Sequence, residues 1–296
     1  MSISKVLCPI DLSDLSILGL KQAAEIAKEH QAELTVMHVS SNFFHADKDS
    51  EDYTRLLDTF LDEVQELKKV VDDLNDIQSR AYHCLGNPAN EIVDYAKKQE
   101  CDLVVFGSHG KSGLKKMILG SVADKVIRSA ETNLLVVRES PEKASYSFRC
   151  YGTQPVIIPF DFSDACFAAL EFADKLGIAA GRLHIVNVSE PPQPFSDGGE
   201  SKQKLESEMI SENRARFYTA PLAGKFKDAE FRTLFDFDVA GRIANYANEI
   251  LASLIVMPTN QKNFLTRFFL GSVANTVTKV APCPTLIVKQ SLTRAN

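Results

Sequence analysis

Apolar positions along this chain change their spacing in a regular order. Lys5–Ile10 is a short run rich in branched residues that ends at Asp11, the pattern of a strand buried on both faces. After it, Ile17, Leu20, Ala24 and Ala27 fall on one side of a helix, with Ser13 or Asp14 as its N-cap. Strand spacing returns at Glu33–Val39. A long amphipathic helix is then predicted over residues 50–75, where Leu56, Leu57, Phe60, Leu61, Val64, Leu67, Val71 and Leu74 recur at helical intervals. Ser79–Leu85, Asp102–Phe106 and Asn133–Arg138 complete a set of strands, separated by helices over Asn90–Gln99 and Ser121–Ala130. Strands alternating with helices predict an α/β unit with a parallel sheet and right-handed crossovers.

The same order then runs a second time. Val6-Leu-Cys-Pro-Ile-Asp-Leu-Ser-Asp14 is echoed by Val156-Ile-Ile-Pro-Phe-Asp-Phe-Ser-Asp164, an offset of 150. Gly120-Ser-Val-Ala-Asp-Lys-Val is echoed by Gly271-Ser-Val-Ala-Asn-Thr-Val at an offset of 151, and 8 of 19 positions are identical between 120–138 and 271–289. Two ordered matches at nearly one offset mark a tandem duplication. The second copy has predicted strands at Val156–Phe160, Arg182–Val188, Ala229–Phe237, Leu254–Met257 and Thr285–Lys289. Its helices begin at Ser163 or Asp164 and cover residues 200–218, Gly241–Leu251 and Ser272–Val280. The expected fold class is two tandem, open, mostly parallel five-stranded sheets flanked by helices. The expected domains are residues 1–142 and 153–292, with the polar stretch Pro141–Gly152 as linker.

A length of 296 residues suits two domains of ordinary size. The net charge of −6 argues against general nucleic-acid binding, and no apolar run approaches a membrane span. The charge is uneven: residues 47–76 carry 11 acids and 4 bases, which gives the long first-copy helix an acidic outer face suited to solvation. Six cysteines lie far apart with no C-x-x-C pair, so neither a zinc site nor a dense disulfide framework is suggested. Met1–Ile10 lacks the features of a signal peptide, and a cytoplasmic location is the expectation.

In an open parallel sheet, ligands bind beyond the carboxyl ends of the strands. Three features of the first copy converge there: Asp11 after strand one, Val39 and Ser40 at the end of strand two, and the loop Gly107-Ser-His-Gly110-Lys-Ser-Gly-Leu-Lys-Lys-Met-Ile-Leu-Gly120-Ser121-Val122. Gly107, Gly110 and Gly113 would allow positive φ and let backbone N–H groups approach an anion. Gly120 and Ser121 open a helix whose free N–H groups and dipole favour phosphate. Asp11 could hold ribose hydroxyls or cap the adjacent helix. The loop therefore suits a polyphosphate, while a purely structural glycine turn remains the alternative.

Gly107-x2-Gly110-x9-Gly120-Ser121 matches the nucleotide-binding signature of the universal stress protein family, Gly-x2-Gly-x9-Gly-Ser/Thr. Pro9-x-Asp11-x-Ser13, Gly86-x-Pro88 and Asp102-Leu-Val-Val-Phe-Gly107 also resemble that family, once per half over nearly the whole chain. The resemblance implies an open, Rossmann-like sheet of the adenine-nucleotide α-hydrolase type and a bound ATP or AMP, with Mg as companion if the nucleotide is ATP. It places Asp11 on ribose, the Val39 backbone on adenine, Gly107 and Gly110 near ribose and phosphate, and Gly120, Ser121 and Val122 on the phosphates. It further implies pairing of the halves into an internal pseudo-dimer through Leu134–Val137 and Leu286–Val288, and leaves a further homodimer open.

The second copy departs from the pattern. Pro258 stands at the position of Gly107 and Gln261 at that of Gly110, which removes an N–H donor and adds a side chain. Asp161, Val188, Gly271 and Ser272 persist, so the first copy is expected to bind nucleotide and the second weakly or not at all. Phe264, Leu265, Phe268, Phe269 and Leu270 make its loop greasier, as core packing or as a more apolar ligand surface would require.

Other residues have plainer readings. His109 reads as a solvated loop histidine, with approach to a phosphate or a bound metal as the alternative. Lys111, Lys115 and Lys116 either steer anions or aid solubility. Cys101 and Cys283 read as buried small residues, and His38 and His83 as packed strand residues. No catalytic residue or metal ligand is assigned. Lys111-Ser112 follows Gly110, but the first P-loop glycine is missing at Val105, and no G-x-S-x-G elbow is present. Any ATP hydrolysis is expected to be slow. A ligand-independent scaffold and an adenylating enzyme that uses Asp11 and His109 are the competing readings. Against the enzyme stands Pro9-Ile-Asp-Leu-Ser, where a Ser-Gly-Gly-x-Asp-Ser loop would be needed.

Overall fold

The computed structural model describes residues 3–41, 51–108, 119–138, 153–193, 201–220, 223–259 and 270–289, which fall into two compact units. The linker expected at Pro141–Gly152 lies outside the described residues.

The first unit runs β1 (Lys5–Pro9), α1 (Asp14–His30), β2 (Glu33–Ser40), α2 (Glu51–Asp72), β3 (Ser79–Leu85), α3 (Pro88–Lys98), β4 (Leu103–Gly107), α4 (Ser121–Ser129) and β5 (Asn133–Val137). Its strand order is β3-β2-β1-β4-β5, and the pairs are parallel. Val6, Leu7 and Cys8 of β1 and Leu103–Phe106 of β4 are buried, so these strands show runs of apolar residues and no alternation. Helix α1 covers β1 and β4, and α2 packs on β2 and β3. Each aliphatic side chain so buried stabilises the fold by about 1.5–3 kcal/mol. At the edge, β3 is different: Tyr82 and Leu85 are exposed.

The second unit repeats the order with β6 (Val156–Pro159), α5 (Asp164–Lys175), β7 (Leu183–Ser189), α6 (Lys202–Tyr218), β8 (Glu230–Phe235), α7 (Val239–Glu249), β9 (Leu254–Thr259), α8 (Ser272–Val280) and β10 (Thr285–Lys289). Its strands lie in the order β10-β9-β6-β7-β8, again parallel. The strand expected from Arg182 starts one residue later because Ala180–Arg182 winds into a short 3-10 turn. The strand expected to reach Phe237 stops at Phe235, where Asp236 Oδ1 accepts the Asp238 N–H at 2.9 Å and turns the chain into α7.

Local capping explains the helix limits. Ser13 is the N-cap of α1, with its hydroxyl accepting the Ser16 N–H at 3.3 Å. Asn87 caps α3 by accepting the Asn90 N–H at 3.2 Å, and Pro88 suits the first helical position, which starts this helix two residues before the expected Asn90. After the helices the chain turns through left-handed residues: Gln31 (φ 53°) after α1 and Gly177 (φ 75°) after α5.

Leu251 takes that conformation (φ 51°) after α7 and is 66% exposed. A left-handed L-residue costs about 1–2 kcal/mol, of which glycine's greater freedom when unfolded offsets about 0.5–1. Leu251→Gly is therefore expected to raise stability by about 0.5–1 kcal/mol, measured as a higher denaturant midpoint at unchanged slope.

Candidate functional site

The strand order of the first unit reverses at β1: the chain steps outward through β2 and β3, then returns to β4 on the other side. At the carboxyl ends of these strands lies a cavity of about 260 Å³. Asp11, Val39, Gly107, Gly120, Ser121 and Val122 all line it. Gly110, the remaining expected ligand contact, lies outside the described residues, as do His109, Lys111, Gly113, Lys115 and Lys116. The cavity has an apolar wall from Met37, Ile92, Phe106 and Val126, and polar atoms from Asp11, Ser16, His38 and Ser121. Ser16, His38 and Ile92 were not singled out as site residues in the sequence. They reach the cavity because α1 begins beside Asp11, β2 ends beside it and α3 packs over β2.

Asp11 is held firmly. Its Oδ1 accepts the Ser13 N–H at 3.2 Å and the Ser13 hydroxyl at 2.6 Å, across Leu12 in the left-handed region (φ 63°). Ser13 rather than Asp11 caps α1, so the carboxylate edges the cavity instead of closing a helix end. Among the described residues, no side chain caps the N-terminus of α4. Gly120 is its N-cap with no side-chain capping bond, and Ser121 and Val122 beside it are exposed. Gly120 itself is fixed by its N–H to the Ser108 carbonyl at 2.8 Å, and Ser108 by its N–H to Val137 at 2.8 Å.

Gly107 has a steric reason beside the one its motif suggests. It is not among the residues with positive φ. A Cβ there would lie 2.9 Å from Leu15 Cγ of α1, so glycine is required for the helix to pack closely on the end of β4. The equivalent pair in the second unit is Pro258 and Ala165: a larger residue on the strand faces a smaller one on the helix.

The second unit keeps a cavity of about 260 Å³ in the equivalent place, lined by Asp161, Val188, Pro258, Gly271 and Ser272. Gln261 and residues 264–269 lie outside the described residues. Its Asp161 Oδ1 accepts the Ser163 N–H at 2.9 Å and the Cys166 thiol at 3.1 Å, again across a left-handed residue, Phe162 (φ 64°). Burial pushes Asp161 up, but the bonds from Ser163, Cys166 and the backbone outweigh it and hold the carboxyl below its usual range. Burial pushes the Cys166 thiol up to about 12, which keeps it protonated as a donor.

A model of the family described as "Universal stress protein family" matches residues 2–138 and again residues 152–289. The chain belongs to the universal stress protein family. Each curated relative resembles half of this universal stress protein. Universal stress protein MJ0531 of Methanocaldococcus jannaschii is 35% identical over 144 residues, 47% of this chain and 84% of that protein. Universal stress protein YxiE of Bacillus subtilis is 35% identical over 146 residues, 46% of this chain and 99% of that protein. A universal stress protein structure from Archaeoglobus fulgidus shares the fold along both halves, with a TM-score of 0.63, 21% identity and 97% of each chain covered. Among the described residues no helix is long and apolar enough to cross a membrane.

The Leu15–Gly107 contact generates a prediction. Gly107→Ala should destabilise this universal stress protein by about 1–3 kcal/mol through overpacking. Combining it with Leu15→Ala should show a favourable coupling of about 1 kcal/mol in a double-mutant cycle followed by thermal unfolding.

Proposed function

We propose that the first unit binds an adenine nucleotide, ATP or AMP, in the cavity at the carboxyl end of β1, and that the bound nucleotide regulates a stress response by biasing a conformation or a partner surface. The observation that carries this reading is the meeting, across one apolar-walled cavity, of an anchored carboxylate and a helix N-terminus that no side chain caps among the described residues. In the proposed pose Asp11 accepts from ribose hydroxyls, the Val39 backbone meets adenine, and Gly107 and Gly110 lie along ribose and phosphate. Gly120, Ser121 and Val122 hold the phosphates at the start of α4, and Mg accompanies ATP. The proposed domains are 1–142 and 153–292, acting in the cytoplasm, and the second is proposed to bind nucleotide weakly. Pro258 supports that asymmetry, because it offers no N–H where Gly107 has one.

Nucleotide released by denaturing the purified chain, identified by mass spectrometry and counted, tests both parts. One adenine nucleotide per chain is the expected result, and two would overturn the asymmetry. Gly120→Val is compatible with the extended backbone at that position (φ −63°, ψ 152°) and should abolish binding by covering the helix N-terminus. Ser121→Ala removes one hydroxyl donor and should weaken binding by about tenfold, the equivalent of one charge-assisted hydrogen bond. An absence of binding at millimolar ATP and AMP would overturn the proposal.

A further inference from the structure

Beside the cavity, three side chains from three elements meet at one point. His38 on β2, Glu63 on α2 and His83 on β3 bring their ligating atoms within 4.8 Å of one another. Parallel pairing sets His38 directly opposite His83, and their rings stack with centroids 5.4 Å apart. Glu63 Oε2 lies 3.4 Å from His38 Nε2 and accepts a hydrogen bond from the Ser40 hydroxyl, whose oxygen is 3.0 Å from His83 Nε2.

The proton positions narrow what this cluster can be. His38 Nδ1 is 2.8 Å from the carbonyl oxygen of Ile10, which can only accept, so Nδ1 carries the hydrogen. In a neutral ring the other nitrogen then presents a lone pair, and that lone pair faces a carboxylate oxygen. Two electron-pair donors face each other unless a proton or a metal ion stands between them. A histidine that gives its outer N–H to a backbone carbonyl and turns its other nitrogen inward has the arrangement that orients metal ligands, and Ser40 supports the carboxylate in the same way.

The second unit offers an internal control. There the positions of His38, Glu63 and His83 are taken by Asn187, Asn213 and Thr233. Asn187 Nδ2 donates to the Phe160 carbonyl at 2.8 Å, as His38 does to Ile10, and Asn213 Nδ2 donates to Asn187 Oδ1 at 3.2 Å. Neutral amides and a hydroxyl thus satisfy the same scaffold without any cation. Packing alone therefore does not require two imidazoles and a carboxylate in the first unit.

We propose that His38 Nε2, Glu63 Oε2 and His83 Nε2 form a binding site for one divalent transition-metal ion of the zinc class, the His83 hydrogen moving from Nε2, where it is directed at Ser40, to Nδ1 when the ion binds. Two imidazoles and one carboxylate suit zinc or its first-row neighbours, with a remaining position for water. Tetrahedral coordination at bond lengths of about 2.0–2.2 Å needs ligand atoms roughly 3.3 Å apart, and the His38–Glu63 pair already stands near that separation. The acids of α2, with Asp58, Asp62 and Glu66 near Glu63 in sequence, add a negative field that favours a cation. The site shares His38 with the lining of the nucleotide cavity, but its ion binds without nucleotide.

The test uses the full chain, stripped with chelator and titrated with zinc chloride, and in parallel with cobalt chloride, whose visible bands report tetrahedral coordination. The expected result is one ion per chain at micromolar free metal, with a rise in the thermal midpoint that chelator reverses. Glu63→Gln and His83→Gln should each weaken binding at least tenfold, the smaller end of the loss seen even for outer-shell changes. Thr233→Ala in the second unit should leave it unchanged. Because His83 is half-buried on the edge strand, His83→Gln should keep the metal-free thermal midpoint, which separates lost binding from lost folding. No retained ion at micromolar zinc would overturn the site, as would binding that these substitutions leave untouched.

Discussion

Parallel pairing on both sides of β1 is the constraint from which the rest of each unit follows. It aligns the carboxyl ends of the strands at one edge: Pro9 sits beside Met37, and Leu7 beside both Thr35 and Val104. Parallel neighbours cannot be joined by tight turns, so each connection must cross a face, and the crossing segments become helices that cover it. Asp11, Val39 and Gly107 are far apart in the chain yet leave that edge together. The gap between them exists because the path reverses at β1, and no loop has to be shaped to make it.

The same ladder leaves one backbone group in need of a partner. Beyond β1, the Ile10 N–H still reaches the Met37 carbonyl at 2.8 Å, but the Ile10 carbonyl points past the end of the ladder and is met by a side chain, His38. In the second unit the Phe160 N–H reaches Val186 at 2.8 Å and the Phe160 carbonyl is met by Asn187. A polar donor is thus required near the bottom of each cavity. The two copies meet that requirement with groups of different chemistry, one that can take up a charge or an ion and one that cannot.

Much of this was legible in the sequence. The repeat, the element order and the cavity-lining residues Asp11, Val39, Gly120 and Ser121 could be read because each depends on local signals: strand runs ending at Asp, caps, and a glycine-serine pair opening a helix. Two features could not be read that way. Gly107 follows a motif, but its steric reason is a contact with Leu15, a residue 92 positions earlier. His38 and His83 read as packed strand residues, since positions 38, 63 and 83 have no motif spacing and meet only through strand register and the packing of α2 on β2 and β3. The signal that could have exposed them was the second copy, where all three positions hold uncharged residues.

The paired exchange of Leu15 and Gly107 for Ala165 and Pro258 limits how one copy can have become the other. A Cβ at position 107 would approach Leu15 within 2.9 Å, so leucine facing proline would force one of the two to shift. Whichever pair is older, a route that avoids that strain brings in the small residue first and passes through alanine facing glycine. That intermediate is underpacked rather than strained. The two positions are therefore coupled, and a single substitution copied from one half into the other meets a neighbour that has not changed with it.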